Sequence, residues 1–140
     1  MRVRNLTFDC ADAMTLAKFW SAMTGWNLYF DDDPEVVVAP AFPNPDDVGL
    51  LFIPVPEGKT AKNRIHFDLQ PTDCSRDDQV SRAVELGATI IGDFREEDGS
   101  GWVTLADPEG NEFCVERSEA EHPHKPGVFR IGVSGHSSPT

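Results

Sequence analysis

The stretch Asn5-Leu6-Thr7-Phe8-Asp9-Cys10 returns later in the chain as Arg64-Ile65-His66-Phe67-Asp68-Leu69. Each copy runs into a helix-like stretch that closes on glycine, in Thr24-Gly25-Trp26 and again in Leu86-Gly87-Ala88. A repeat of about sixty residues is too long for a solenoid unit and implies two copies of one supersecondary module packed around shared space. Function is therefore sought between the copies.

In the first copy Leu6, Phe8 and Cys10 alternate with Asn5, Thr7 and Asp9, the period-2 pattern of a strand with one face on apolar packing. Asp12 can cap a helix whose apolar residues Ala13, Leu16, Phe19, Trp20 and Met23 fall at helical spacing, and Gly25 ends it. Strands are expected over residues 26–30, 35–39 and 48–55, separated by Asp31-Asp32-Asp33-Pro34 and by the proline-bearing stretch 40–45. Beyond a breaker-rich connection (Pro54, Pro56, Gly58, Lys59), residues 63–70 repeat the first strand. A helix over 75–86 follows, with Val80, Ala83 and Val84 on its apolar side and Thr72, Asp73 or Ser75 as its cap. Residues 88–92, 102–106 and 112–117 supply three more strands. Both halves read βαβββ, an α+β domain over residues 1–117 with modules at about 3–56 and 62–117 and a C-terminal tail over 118–140.

Asp107-Pro108-Glu109-Gly110-Asn111, between the last two strands, reads as a structural turn, because proline fixes one dihedral and glycine permits positive φ. The tail loses all periodicity and is expected to be loose. Its His122-Pro123-His124 can bind a metal only adventitiously, and its Val128-Phe129-Arg130-Ile131 is an alternative docking segment for a partner subunit.

With 39% hydrophobic and 26% charged residues in 140, the chain reads as a soluble globular protein. A formal charge of −12 repels phosphate backbones and anionic lipid, which argues against nucleic-acid and membrane partners. The acidic runs Asp31-Asp32-Asp33 and Glu96-Glu97-Asp98 read as solvated turns. No apolar run approaches the length of a membrane span and the start shows no signal-peptide core, so a cytoplasmic location is expected. Cys10, Cys74 and Cys114 are odd in number and form no Cys-x-x-Cys pair, which suggests reduced thiols.

The duplicated βαβββ order, the first strand running into Ala11-Asp12 and Phe19-Trp20, the recurrent glycine helix ends and the closing Asp107-Pro108-Glu109-Gly110-Asn111-Glu112-Phe113 resemble the vicinal oxygen chelate superfamily. That superfamily includes glyoxalase I, bleomycin-resistance proteins and extradiol dioxygenases. Within it, Asn63-Arg64-Ile65-His66-Phe67-Asp68-Leu69 and Gly101-Trp102-Val103-Thr104-Leu105-Ala106-Asp107-Pro108 look most like bacterial glyoxalase-like domains. The resemblance implies two curved mixed sheets, each with its helix on the convex side, around a concave ligand cavity. It also implies a homodimer.

Strand alternation on that scaffold puts Leu6, Phe8, Ile65, Phe67, Leu69, Phe113 and Val115 beneath the helices. It turns Asn5, Thr7, Asp9, Arg64, His66, Asp68, Glu112, Cys114 and Glu116 into the concavity. The superfamily's metal ligands match Asn5, Arg64 and Cys114 here, and the fourth strand, Val48-Gly49-Leu50-Leu51-Phe52-Ile53, offers none. A divalent ion needs about three protein ligands, and Arg64 repels a cation, so no cofactor is expected at the usual site. A shifted divalent-metal site from His66 and Glu112, with Asp9, is the alternative.

His66 is the candidate for acid–base work, since imidazole carries either proton state near neutral pH, and its bland reading is a hydrogen-bonded strand histidine. Asp9 and Asp68 either receive ligand hydroxyls or amines or tie down their own modules. Cys114 invites a nucleophile reading, but it lacks an activating partner and reads as an ordinary buried thiol. Trp102 and Tyr29 offer flat surfaces to an aromatic or cationic ligand, whereas Trp20 and Trp26 belong to the helix core. Two function classes follow. One is a small-molecule binding protein working without the usual metal, with Asp9, Arg64, His66, Asp68, Trp102, Glu112 and Cys114 as its ligand-binding residues. The other is a lyase or isomerase of the glyoxalase type using His66 and Glu112.

Overall fold

The computed structural model describes residues 1–43 and 46–121. The calls on the tail beyond Glu121 lie outside the described residues. The element order is β1 (Asn5–Cys10), α1 (Ala13–Thr24), β2 (Asn27–Phe30), β3 (Val36–Ala39), β4 (Gly49–Pro54), then β5 (Phe67–Leu69), α2 (Arg76–Leu86), β6 (Thr89–Asp93), β7 (Val103–Ala106) and β8 (Glu112–Val115). This is βαβββ twice.

Local chemistry sets the helix ends. The Asp12 carboxylate accepts from the Thr15 amide and Ser75 Oγ from the Asp78 amide, each satisfying a donor that the first helical turn leaves open. Gly25 and Gly87 close the helices in the left-handed region, at φ 76° and 118°.

Each module forms one four-stranded mixed sheet with the same topology, β1-β4-β3-β2 and β5-β8-β7-β6. In both, the first strand pairs in parallel with the last, setting Phe8 opposite Phe52 and Phe67 opposite Phe113. The sheets are curved and not closed into a barrel. Trp20, only 1% exposed, packs at the junction of the modules, with ring centroids 5.8 Å from Phe8, 5.4 Å from Phe67 and 5.1 Å from Phe113. Burying aromatic surface from both modules against one indole holds the halves together, each such ring contributing roughly 1.5–3 kcal/mol.

Four expectations need correction. The first strand of module two is short, starting at Phe67 and not at 63, because Asn63 bonds elsewhere: its amide donates to Glu112 Oε2 and its Nδ2 to Asn111 Oδ1. Ile65 therefore lies outside the ladder, 79% exposed, and is not beneath a helix. Leu6 is also 37% exposed, since α1 packs chiefly on β3 and β4 and leaves the start of edge strand β1 open. On α2, Val80 and Ala83 are buried as expected, but Val84 faces outward. No helix among the described residues is long and apolar enough to cross a membrane.

Candidate functional site

Alternation along β5, β8 and β7 builds one polar row on the second sheet. Asp68 is the ladder partner of Cys114, and Cys114 is the partner of Thr104 on its other side. His66, Trp102 and Glu116 each stand one residue beyond a strand end and open into the same cavity as Asp68 and Cys114. His66, Asp68, Gly101, Trp102, Cys114, Glu116 and Arg117 line a cavity of about 430 Å³ there.

Within it, His66 Nε2 approaches Asp68 Oδ1 to 3.5 Å, and Thr104 Oγ1 lies 3.4 Å from Cys114 Sγ. His66, Asp68 and Cys114 can each bring a donor atom within 4.8 Å of the other two. Trp102 stands 45% exposed with its ring stacked on Phe94, centroids 5.0 Å apart and planes 28° from parallel. That leaves an indole surface open beside the polar row.

The platform under Trp102 is built from a residue that the sequence did not single out. Arg76, at the start of α2, is buried, and its Nη1 donates to the carbonyls of Gly99, Ser100 and Gly101 at 3.0, 2.9 and 3.1 Å. Its Nε bonds Asp77, whose carboxylate also takes Arg95, and Arg95 in turn holds Asp93. Gly101 lets this loop lie directly against the Phe94 backbone: at φ 89° a Cβ there would clash with the Phe94 carbonyl oxygen. Nothing local in Arg76-Asp77-Asp78 signals this reach. Thr104 was within reach of sequence reasoning, because it follows Trp102 by two on the same strand face.

The remaining predicted residues are placed elsewhere. Asp9 lines a separate depression of about 420 Å³ with Leu6, Thr7, Lys59, Asn63 and Ile65. Arg64 is exposed in a bend ahead of β5 and does not line the His66 cavity. Glu112 turns to the connection between modules, accepting from Lys59 Nζ at 3.1 Å and from the Asn63 amide at 3.0 Å. Burial works against its charge, but those bonds outweigh it and hold the carboxyl below the usual range. Tyr29 packs against Phe42 over the first sheet, ring centroids 5.6 Å apart, in a cavity apart from Trp102.

The positions at which the superfamily carries metal ligands do not fit an ion. Asn5 is folded onto Gly49, its Oδ1 3.0 Å from where a Cβ would sit; Arg64 is cationic; and β4 is apolar. Of the matched places only Cys114 is a good donor.

Two tandem βαβββ modules with paired curved sheets define the vicinal oxygen chelate superfamily. Residues 5–116 match the family described as glyoxalase-like domain, and the chain belongs to that family. Among solved structures it is similar to a fosfomycin resistance protein, FosX, from Mesorhizobium loti (TM-score 0.62, 13% identity, 84% of this chain and 91% of that one). It is also similar to a glyoxalase/bleomycin resistance protein/dioxygenase family enzyme from Burkholderia phytofirmans PsJN (TM-score 0.61, 16% identity, 82% and 97%). A third is an antibiotic binding protein from Streptomyces sp. CB03234 (TM-score 0.56, 19% identity, 83% and 94%). No curated protein matches the chain.

Proposed function

We propose that the chain binds a small organic molecule carrying an aromatic ring on the concave face of the second sheet, without the metal site usual in its superfamily. One observation carries the reading: a half-exposed indole, Trp102, borders the same cavity as His66, Asp68, Cys114 and Glu116. An open aromatic surface beside convergent hydrogen-bonding groups suits a planar ligand with polar substituents. Two structural neighbours, one named a fosfomycin resistance protein and the other an antibiotic binding protein, favour a small-molecule ligand. In this reading Asp9 and Arg64 are peripheral, and Glu112 braces the inter-module connection.

A thermal-shift screen of metal-free protein with small aromatic compounds tests it. A binder raises the melting temperature by mass action, and Trp102→Ala removes the shift. Hits that stabilise Trp102→Ala and His66→Ala as well as the parent would refute it.

A second reading, a lyase or isomerase with His66 as acid–base residue, is favoured by the 3.5 Å approach of Asp68 to His66 Nε2, which can orient the ring. Turnover surviving His66→Gln would exclude it. Both readings have the protein acting in the cytoplasm as a homodimer. The resemblance to the superfamily supports the pairing. Sedimentation at monomer mass would count against the dimer.

A further inference from the structure

We propose that His66, Asp68 and Cys114 form a zinc(II) site within module two, which shares only Cys114 with the positions matched to the superfamily's ligands. It deepens the reading above, since the ion's free position would open into the Trp102 cavity, yet it depends on no organic ligand.

The geometry comes from the ladder. Asp68 and Cys114 are register partners on β5 and β8, so their side chains rise from neighbouring points of one face, and His66, just ahead of β5, lines the same cavity with its Nε2 3.5 Å from Asp68 Oδ1. The three can present an imidazole nitrogen, a carboxylate oxygen and a sulfur within 4.8 Å of one another. Tetrahedral zinc with bonds of about 2.0–2.3 Å sets its ligands roughly 3.3–3.7 Å apart. The His66–Asp68 separation of 3.5 Å already meets that, and side-chain rotation closes the rest.

The donor chemistry selects the metal. Thiolate and imidazole together favour zinc over magnesium or calcium, which prefer all-oxygen shells. Three protein ligands leave one position for solvent or ligand, and the open side of the cluster faces the cavity. Thr104 Oγ1, 3.4 Å from Cys114 Sγ, is placed to donate to the thiolate as an outer partner. Binding would displace the Cys114 thiol proton to solvent.

The test is a titration of the full chain with cobalt(II), then competition by zinc(II). The site predicts one cobalt per chain and a sulfur-to-cobalt charge-transfer absorption. Cys114→Ser should abolish that absorption, while His66→Ala and Asp68→Ala each weaken binding on the order of tenfold or more. Thr104→Val, which spares all three ligands, should weaken it about tenfold. His122→Ala/His124→Ala, in the tail, should leave it unchanged. Metal-free melts of each variant exclude unfolding as the cause. Absence of the thiolate absorption in the parent, its persistence in Cys114→Ser, or binding lost only with the tail histidines would overturn the site. Any of these results leaves binding of an aromatic compound by metal-free protein to be judged separately.

Discussion

Trp20 Nε1 donates to Asp107 Oδ2 at 3.0 Å across the boundary between the two modules, with both side chains buried. The other oxygen of Asp107 accepts from the amides of Glu109 and Asn111, which shapes the β7–β8 turn. Glu109 then reaches back to the amides of Ala11 and Asp12 at the start of α1. The Asp107-Pro108-Glu109-Gly110-Asn111 turn is thus structural, and it clamps the second module onto the helix of the first.

Asp107→Ala should cost about 3 kcal/mol, because it orphans a buried indole N–H and turn amides together. Denaturant melts of Asp107→Ala, Trp20→Phe and the double variant check it. Coupling near zero between the two sites would mean that the bond contributes nothing across the boundary.

Arg76→Met should cost about 2 kcal/mol and free the loop bearing Trp102, since the carbonyls of Gly99, Ser100 and Gly101 lose their shared donor. The indole emission of Trp102 should shift to the red, read against a Trp102→Phe background. An unshifted spectrum would show that the platform holds without the guanidinium.

Stability should fall on acidification. Arg95 holds Asp93 down to about 2, Arg76 lowers Asp77, and the Ser118 amide, followed by that of Arg76, lowers Glu121. A carboxyl whose folded pKa lies below its unfolded value contributes stability above the unfolded value and loses it as pH drops through the folded one. The melting temperature should therefore decline from about pH 4.5 towards pH 2. Asp93→Asn should flatten the lower end of that decline, and a profile level across the window would contradict these pairings.

Cys10 should resist alkylation in the folded chain. Burial, reinforced by Glu109, Asp12, Asp9 and Asp107, pushes its thiol up to about 11, so thiolate is scarce at pH 8. Mass mapping after brief iodoacetamide treatment should find Cys10 unlabelled until denaturant is added. Ready labelling of the native protein would show that the core opens around β1.

Local chemistry made much of the molecule readable. The repeated strand, the cap Asp12 and the glycines 25 and 87 made the βαβββ order legible, whereas the second cap, left open among Thr72, Asp73 and Ser75, is decided by the Ser75 bond to the Asp78 amide. Strand parity, on the scaffold that the resemblance implies, turned His66, Asp68 and Cys114 to one face, and they line one cavity together with Trp102. Parity gives a face, however, and not which faces meet: Asp9 shares the pattern of Asp68 but opens into a different depression. Glu112 has the right parity too, yet Lys59, fifty-three residues away in the connection, captures it. Arg76 was unreadable for the same reason, since its partners lie in a loop that only tertiary packing brings over α2.

The most direct test of the second-sheet site is amide and indole chemical-shift mapping of metal-free protein with an aromatic hit from the thermal screen. The account predicts shifts concentrated at Trp102, His66, Asp68, Cys114, Glu116 and Arg117, with the Trp102 indole among the largest. Shifts centred instead on Tyr29 and Phe42 of the first sheet, or around Asp9 and Lys59, would contradict it.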